Sequence, residues 1–189
     1  MFTSFSRRDL VVAILLAVLM IATRGHHLAA PLHLPDASNA IFFLAGLYLQ
    51  PAILLPVLLV EAVAIDYAAI TWGGVSSFCV TPAYLLLIPA FGALWLAGRW
   101  YARRFADLKR HPLAFGATLL FATMLAELLT SGGFYFLSGR FAEPTLGAFA
   151  DRLATYAPPV LAATAMWVGI AVLVDLALAA RRRSGGAAG

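Results

Sequence analysis

The chemistry-bearing residue that stands out in this chain is its single cysteine, Cys79, which lies in a loop of small residues. Thr81 and Pro82 follow, and such a pair is typical of a helix start, with threonine as the N-cap and proline at the first helical position. A helix N-terminus favours the thiolate, the form that binds metals or attacks as a nucleophile. Cys79 is therefore the leading candidate for chemistry. The alternative is a small apolar filler at a helix start.

Three of the four histidines, His26, His27 and His33, precede the second apolar segment, and Asp36 follows them. Imidazole and thiolate are ligand types that transition metals favour. Adjacent helical residues point about 100° apart, so at most one of His26 and His27 faces a common site, and we favour His27. The alternative is that these histidines anchor a helix end among lipid headgroups.

Four carboxylates lie within or near apolar segments: Glu61, Asp66, Glu127 and Asp175. Charges there are costly and usually face a bundle interior, so each is a functional hypothesis. Asp66, followed by Tyr67, is placed to reach the site of Cys79. Glu61 and Glu127 can instead pair with polar neighbours or stay protonated, and Asp175 can pair with the terminal arginines.

Aromatic residues cluster at the same helix ends. Singly, each fits the aromatic belt of a membrane interface. As a group around a cavity they can enclose a large flat ligand. The residues concerned are Trp72, Phe78, Tyr84, Phe134, Tyr135 and Phe136.

Composition places these residues in a membrane, because 62% of the 189 residues are hydrophobic and 12% are charged, with a mean hydropathy of +0.89. We predict an all-α integral membrane protein, a six-transmembrane-helix bundle forming one domain over residues 1–183, with a disordered tail at 184–189. The predicted helices lie near 9–25, 36–49, 51–70, 81–98, 112–137 and 156–180.

The second and third of these segments can also be read as one element over 36–70, interrupted by Pro51 and Pro56. Such a helix would be about 50 Å long, against a hydrocarbon core of about 30 Å. We therefore predict a tight hairpin at Gln50 and Pro51.

The basic residues indicate the orientation. With six spans and both termini inside (N-in/C-in), Arg24, Arg140 and Arg152 lie outside and the other ten of the 13 Lys and Arg lie inside. Five spans would move the cluster at 99–110 outside, against the positive-inside rule. Six spans place loops 24–36, 72–81 and 138–156 on one outer face, which brings Cys79 and the histidines together.

Several function classes are disfavoured. The basic residues at the ends of apolar segments serve as orientation signals, so no nucleic-acid partner is expected. The sequence has no G-x-x-x-x-G-K-[ST] motif, the P-loop that binds nucleotide phosphates, so any ATP-driven transport needs a separate ATPase. A haem oxidoreductase needs histidines inside the spans, and none of the four is predicted there.

Two stretches resemble the BtuM family of bacterial vitamin B12 (cobalamin) transporters: LHLPDASNAIFFLAGLYL from Leu32 and AIDYAAITWGGVSSFCVTPAYLLLIPAFGALWLAGRW from Ala64. The resemblance covers nearly the whole chain and is most specific at Asp66-Tyr67 and over 77–84. That family is similar to the S-components of energy-coupling-factor (ECF) transporters, six-helix proteins that bind a vitamin at their outer face.

This resemblance implies a multi-pass protein of the bacterial cytoplasmic (inner) membrane whose cobalamin site faces the periplasm. Cys79 would be an axial ligand of the corrin cobalt in base-off cobalamin, with His27 nearby as a further possible metal ligand. Removal of an upper ligand such as cyanide (decyanation) at Cys79 is an accessory activity to expect. Other expected contacts to cobalamin are Asp66, Tyr67, Trp72, Phe78, Tyr84 and Tyr135.

The same resemblance implies a protein partner besides the lipid bilayer. S-components tend to present small residues on their first helix to an ECF transmembrane coupling subunit, which works with ATPases. Here Ala13 and Ala17 stand four apart, a spacing that lets helices approach closely. The competing hypothesis is a periplasm-facing transition-metal-binding membrane protein that uses His26, His27, His33 and Cys79 directly.

Overall fold

The computed structural model describes residues 6–24, 34–105 and 110–186, with side chains described as far as residue 183. Within these ranges the chain is helical, with turns and short extended connections and no strand. The helices are α1 (Arg7–Arg24), α2 (Ser38–Tyr48), α3 (Leu54–Thr71), α4 (Leu87–Arg104), α5 (Pro112–Glu127), α6 (Gly133–Leu137) and α7 (Leu146–Gly186).

Each apolar segment of the sequence contains a helix, and residues 49–53, where the sequence predicts a hairpin, separate α2 from α3. The fourth segment differs from the prediction, because two short 3-10 turns, Ser77–Cys79 and Pro82–Leu86, precede α4. In the fifth, a π-helical turn, Leu128–Gly132, joins α5 to α6.

The last helix is longer than predicted. It begins at Leu146 rather than near 156 and continues through Pro158 and Pro159. It also extends to Gly186, so residues 184–186, predicted as part of a disordered tail, are helical; residues 187–189 lie outside the described ranges. The loop predicted at 138–156 is therefore confined to 138–145.

Helix α2 is the centre of the bundle. Its residues from Ser38 to Leu47 are nearly all buried, and it contacts α1, α3, α4, α5 and α7. Its closest neighbour is α4, where Gly46 faces the Trp95 carbonyl and Gly98 faces the Phe43 carbonyl. A Cβ atom on either glycine would overlap that carbonyl oxygen. Small residues at helix contacts are typical of membrane bundles, because they let backbones touch.

Successive long helices run in opposite directions, which gives the bundle two distinct ends. The end of α1, the start of α2, the end of α3 and the start of the fourth segment meet through Arg24, Ser38, Asp66 and Tyr84. We call this the Arg24 end. At the opposite, Arg104 end, Arg8 of α1 meets Asp175 of α7 and Arg99 of α4 meets Gln50.

Among the described residues, four helical segments are long and apolar enough to cross a membrane, judged by length and composition: Leu54–Thr71, Pro82–Arg104, Pro112–Leu137 and Leu146–Arg183. Large apolar side chains such as Leu15, Val60, Phe121 and Leu173 are exposed on the outside of the bundle. Such a surface suits lipid and not water. The chain is a helical membrane protein.

Candidate functional site

A nearly buried ion pair joins three helices at the Arg24 end. Arg24 Nε and Nη2 donate to the two carboxylate oxygens of Asp66, each over 2.7 Å. Arg24 Nη1 also donates to Ser38 Oγ over 2.9 Å. The side chains of Arg24 and Asp66 are only 11% and 25% exposed. This two-bond geometry is the strongest way for an arginine to hold a carboxylate.

The ion pair extends to the segments on either side. The Tyr84 hydroxyl donates to Asp66 Oδ2 over 2.6 Å, which ties α3 to the 3-10 turn before α4. Ser38 Oγ donates to Asp36 Oδ1 over 2.7 Å, and the same oxygen accepts the Ser38 N–H at the start of α2. We call these five residues the Arg24 network: Arg24, Asp36, Ser38, Asp66 and Tyr84.

A cavity of about 470 Å³ lies beside this network. Its wall combines α1, α2, α4, α5 and α7 with the segment before α2, and Trp167 of α7 donates from its indole to the carbonyl oxygen of Pro35 in that segment. The volume is within the range of small-molecule sites. The lining residues are Arg24, Pro35, Asp36, Ser38, Asn39, Leu87, Phe91, Glu127, Thr130, Pro159, Val160, Ala163 and Thr164.

Glu127 reaches this cavity from the last position of α5, directly before the π-helical turn. Its side chain is buried and accepts a hydrogen bond from the Ser131 hydroxyl one turn later. π-Turns within helices are frequent at functional sites. Glu127 therefore pairs with a polar neighbour, which is one of the two alternatives predicted for it. It also forms part of the cavity wall.

Cys79 lies on an exposed turn at the same end of the bundle. It is a free, exposed cysteine and closes the 3-10 turn Ser77–Cys79, in which Ser76 Oγ accepts the Phe78 N–H. The next helical turn starts at Thr81 and Pro82, as predicted. Thr81 makes no side-chain cap, and none of the described residues forms a hydrogen bond with its buried hydroxyl. Cys79 is not among the residues that line the cavity.

An aromatic cluster connects the cysteine turn to α6 and α7. Phe78 packs edge-on against Phe134, with ring centroids 5.7 Å apart, and Arg140 lies 4.9 Å above the Phe78 ring. Tyr135 is buried, and its hydroxyl accepts the Thr145 N–H. The cluster comprises Phe78, Phe134, Tyr135, Phe136, Phe141 and Phe149, with Arg140 and Arg152 against its rings.

The structure therefore brings together only some of the predicted site residues. Asp66 and Tyr84 are hydrogen-bonded to each other, and Phe78 and Tyr135 belong to the aromatic cluster. Tyr67 and Trp72 are exposed and pack edge-on against each other. His26, His27 and His33 lie outside the described residues. Within the described ranges no group of three His, Cys, Asp or Glu side chains is placed to hold a metal ion.

Two of the predicted carboxylates lie away from this site. Asp175 lies 3.7 Å from Arg8 of α1, and both side chains are at least half exposed. Glu61 is partly exposed on α3 and is not in the cavity wall. The residue that sequence reasoning missed is Arg24, which was assigned only to the outer charge count. The sequence did contain a signal for this ion pair: an arginine ends one apolar segment, and an aspartate lies near the same end of another.

No protein-family model matches this chain, and no curated protein matches it either.

Proposed function

We propose that this membrane protein binds cobalamin at its Arg24 end and takes part in its uptake across the bacterial cytoplasmic membrane. The supporting observation is the free, exposed thiol of Cys79, on a turn at the same end as the cavity and the aromatic cluster. The Cys79 thiolate is the axial cobalt ligand in this proposal. Thiolates are soft ligands that suit transition metals.

Exposure of the thiol favours this chemistry, because a corrin ring is wide and flat and cannot reach a buried sulfur. A cobalamin is larger than the drug-sized ligands that fill pockets of about 300–1,000 Å³. The cavity of about 470 Å³ cannot enclose it. The ring therefore lies across the exposed turn, beside Phe78 and the rest of the aromatic cluster.

Ligation by Cys79 replaces the dimethylbenzimidazole base, so the bound form is base-off. A Co–S bond forms from the sulfur electron pair, and electron donation from a thiolate weakens the bond on the opposite face. If cyanide is the upper ligand, it leaves with the Co–C electron pair and the cobalt oxidation state is unchanged. Decyanation is thus a ligand exchange that accompanies binding.

We also propose six crossings, with both termini in the cytoplasm. The Arg104 end carries a majority of the described arginines, among them Arg7, Arg99, Arg103 and Arg104, which is the pattern of a cytoplasmic face. The shortness of α2 does not oppose a crossing, because its flanks Ala37 and Leu49 are buried within the protein.

A coupling subunit with ATPases is the partner we propose for uptake. Ala13 and Ala17 of α1 are partly buried, and large apolar side chains nearby, such as Leu10 and Ile14, are exposed. Small residues four apart flanked by exposed apolar side chains allow close contact with a second membrane helix.

Purification with and without cyanocobalamin, followed by visible spectroscopy and cobalt analysis, tests the proposal. The wild-type protein should retain about one corrinoid per chain with a shifted spectrum. Cys79→Ala and Cys79→Ser should lose the shift and any cyanide release, whereas Ser77→Ala, on the same turn, should behave as wild type.

Two results would overturn cobalt ligation by Cys79. One is a wild-type protein that retains no corrinoid. The other is a Cys79→Ser protein whose spectrum shifts as the wild-type spectrum does. A colourless protein that instead copurifies with zinc would favour direct metal binding by the histidines and Cys79.

A further inference from the structure

The hydroxyl groups in the cavity wall already donate hydrogen bonds to acceptors within the protein. Thr130 Oγ1 donates to the Ala126 carbonyl over 2.9 Å, and Thr164 Oγ1 donates to the Val160 carbonyl over 2.8 Å. Ser38 Oγ donates to Asp36. A hydroxyl has one proton and two lone pairs, so each of these three groups can only accept a hydrogen bond from a ligand.

The charges of the described residues at the cavity are not balanced. Among these residues the cation is Arg24, and it faces three carboxylates, because Asp66 binds Arg24 from outside the cavity wall and Asp36 and Glu127 line the cavity itself. Ionised, the four groups carry two negative charges in excess. Within the described ranges, neither Asp36 nor Glu127 has a lysine or arginine within ion-pair distance.

Of these two carboxylates, Glu127 has the greater need of a positively charged partner, because only 7% of the residue is exposed. Ser131 donates to one of its oxygens, and the described part of the chain supplies no hydrogen-bond donor to the other. A buried carboxylate without a cation is strongly destabilising. Such a group inside a membrane protein points to a ligand or ion that completes it.

Apart from the Asn39 side-chain amide, which can donate or accept a hydrogen bond, the rest of the wall is apolar. Leu87 and Phe91 of α4 face the cavity, as do Pro159, Val160 and Ala163 of α7. A ligand that fits must therefore combine a positively charged hydrogen-bond donor with a short apolar body. Inorganic cations lack the second feature.

We propose that this cavity is a binding site for a protonated primary alkylamine. The ammonium group donates to Glu127 and to the acceptor oxygens near it, and the alkyl chain packs on the α4 and α7 side chains. This site uses neither Cys79 nor cobalt, so it stands or fails separately from cobalamin binding.

Ligand-observed NMR titration of the purified protein with n-butylammonium chloride at neutral pH tests the site, with 1-butanol as the neutral ligand of equal length. Wild-type protein should bind butylammonium saturably and 1-butanol at least about tenfold more weakly, as expected for a hydrogen bond to a charged group. Glu127→Gln, which retains an acceptor for Ser131, should weaken butylammonium binding by about tenfold or more.

Glu61→Gln is the matched control, because Glu61 is another carboxylate of an apolar helix that lies outside the cavity wall, and it should bind as wild type does. Asp36→Asn should weaken binding by a smaller factor and provides the test if Glu127→Gln does not fold. Equal binding of butanol and butylammonium overturns the site. Wild-type affinity in both Glu127→Gln and Asp36→Asn overturns it equally.

Discussion

Arg24 shows how one side chain can hold a charge that is nearly removed from solvent. Its guanidinium gives two hydrogen bonds to Asp66 and a third to Ser38, and the ring of Phe91 lies 5.7 Å from its central carbon. Asp66 in turn accepts from Tyr84. Each partner of Asp66 and Arg24 therefore belongs to a different helical segment, so the loss of either charge should loosen the whole Arg24 end.

Asp66→Asn should lower the free energy of unfolding by about 3 kcal/mol, because it leaves the Arg24 charge buried without its counter-ion. Unfolding in mixed micelles, followed by circular dichroism, measures the change. Asp175→Asn is the control, since the pair with Arg8 is exposed and should contribute less than about 1 kcal/mol. Equal effects of the two substitutions would show that the Arg24 network has no special role in stability.

Part of the site was predictable at this scale. The predicted helix near 51–70 puts Asp66 close to its outer end, and the six-span topology puts Tyr84 at the same end. Arg24, the partner of Asp66, was not identified, because the sequence does not give the rotation of α1 about its axis. The place of Glu127 in the cavity wall depends on how α5 packs in the bundle, which no local pattern indicates.

At the level of the helices, the decisive contact is the one between α2 and α4. The two backbones touch at Gly46 and Gly98 because neither residue has a side chain to separate them. Stacking of Phe42 on Phe91, with centroids 4.2 Å apart, occurs along the same contact. Position 98 should therefore tolerate no larger residue.

Gly98→Ala should destabilise the protein by about 2 kcal/mol, because its Cβ would meet the Phe43 carbonyl oxygen and push the helices apart. Gly92→Ala, on the same helix, is the control. A Cβ at position 92 meets nothing within 4 Å, so that variant should be neutral or slightly more stable, given the higher helix propensity of alanine. Thermal unfolding in detergent compares them. A Gly98→Ala protein as stable as Gly92→Ala would contradict the close α2–α4 contact.

Helix positions were predictable from apolar runs, but helix ends were less so. The apolar run predicts the last helix from about residue 156 to about 180. In the structure α7 begins at Leu146 and continues through Pro158 and Pro159. The aromatic cluster, in which Arg152 lies 4.9 Å from the Phe141 ring, packs against this additional helical part and supplies contacts that propensity does not encode.

Across the whole molecule, charge is distributed unevenly between the two ends. Of the described arginines, Arg24, Arg140 and Arg152 lie at or near the Arg24 end, and Arg24 is neutralised by Asp66. Arginines gather at the other end, where α4 finishes with Arg103 and Arg104. This difference predicts which end faces the cytoplasm.

A membrane-impermeant maleimide applied to intact cells should label Cys79 in the wild-type protein, because that thiol is exposed at the Arg24 end. In a Cys79→Ser, Ala102→Cys double variant, the thiol lies at an exposed position of the Arg104 end and should react only after the membrane is opened. The reverse labelling pattern would invert the proposed orientation. Labelling of both proteins in intact cells would contradict the alternation of the two ends across a membrane.

The central place of α2 has a consequence for biosynthesis. Its 11 residues extend only about 16 Å, roughly half of the hydrocarbon thickness, and its flanks are not helical. Alone in lipid, those flanks would leave backbone groups without hydrogen-bond partners. We therefore expect α2 to reach its final depth only after ribosomal synthesis has passed Arg104, when α4 can cover it. Chains truncated before that point should leave α2 uninserted, however apolar its sequence.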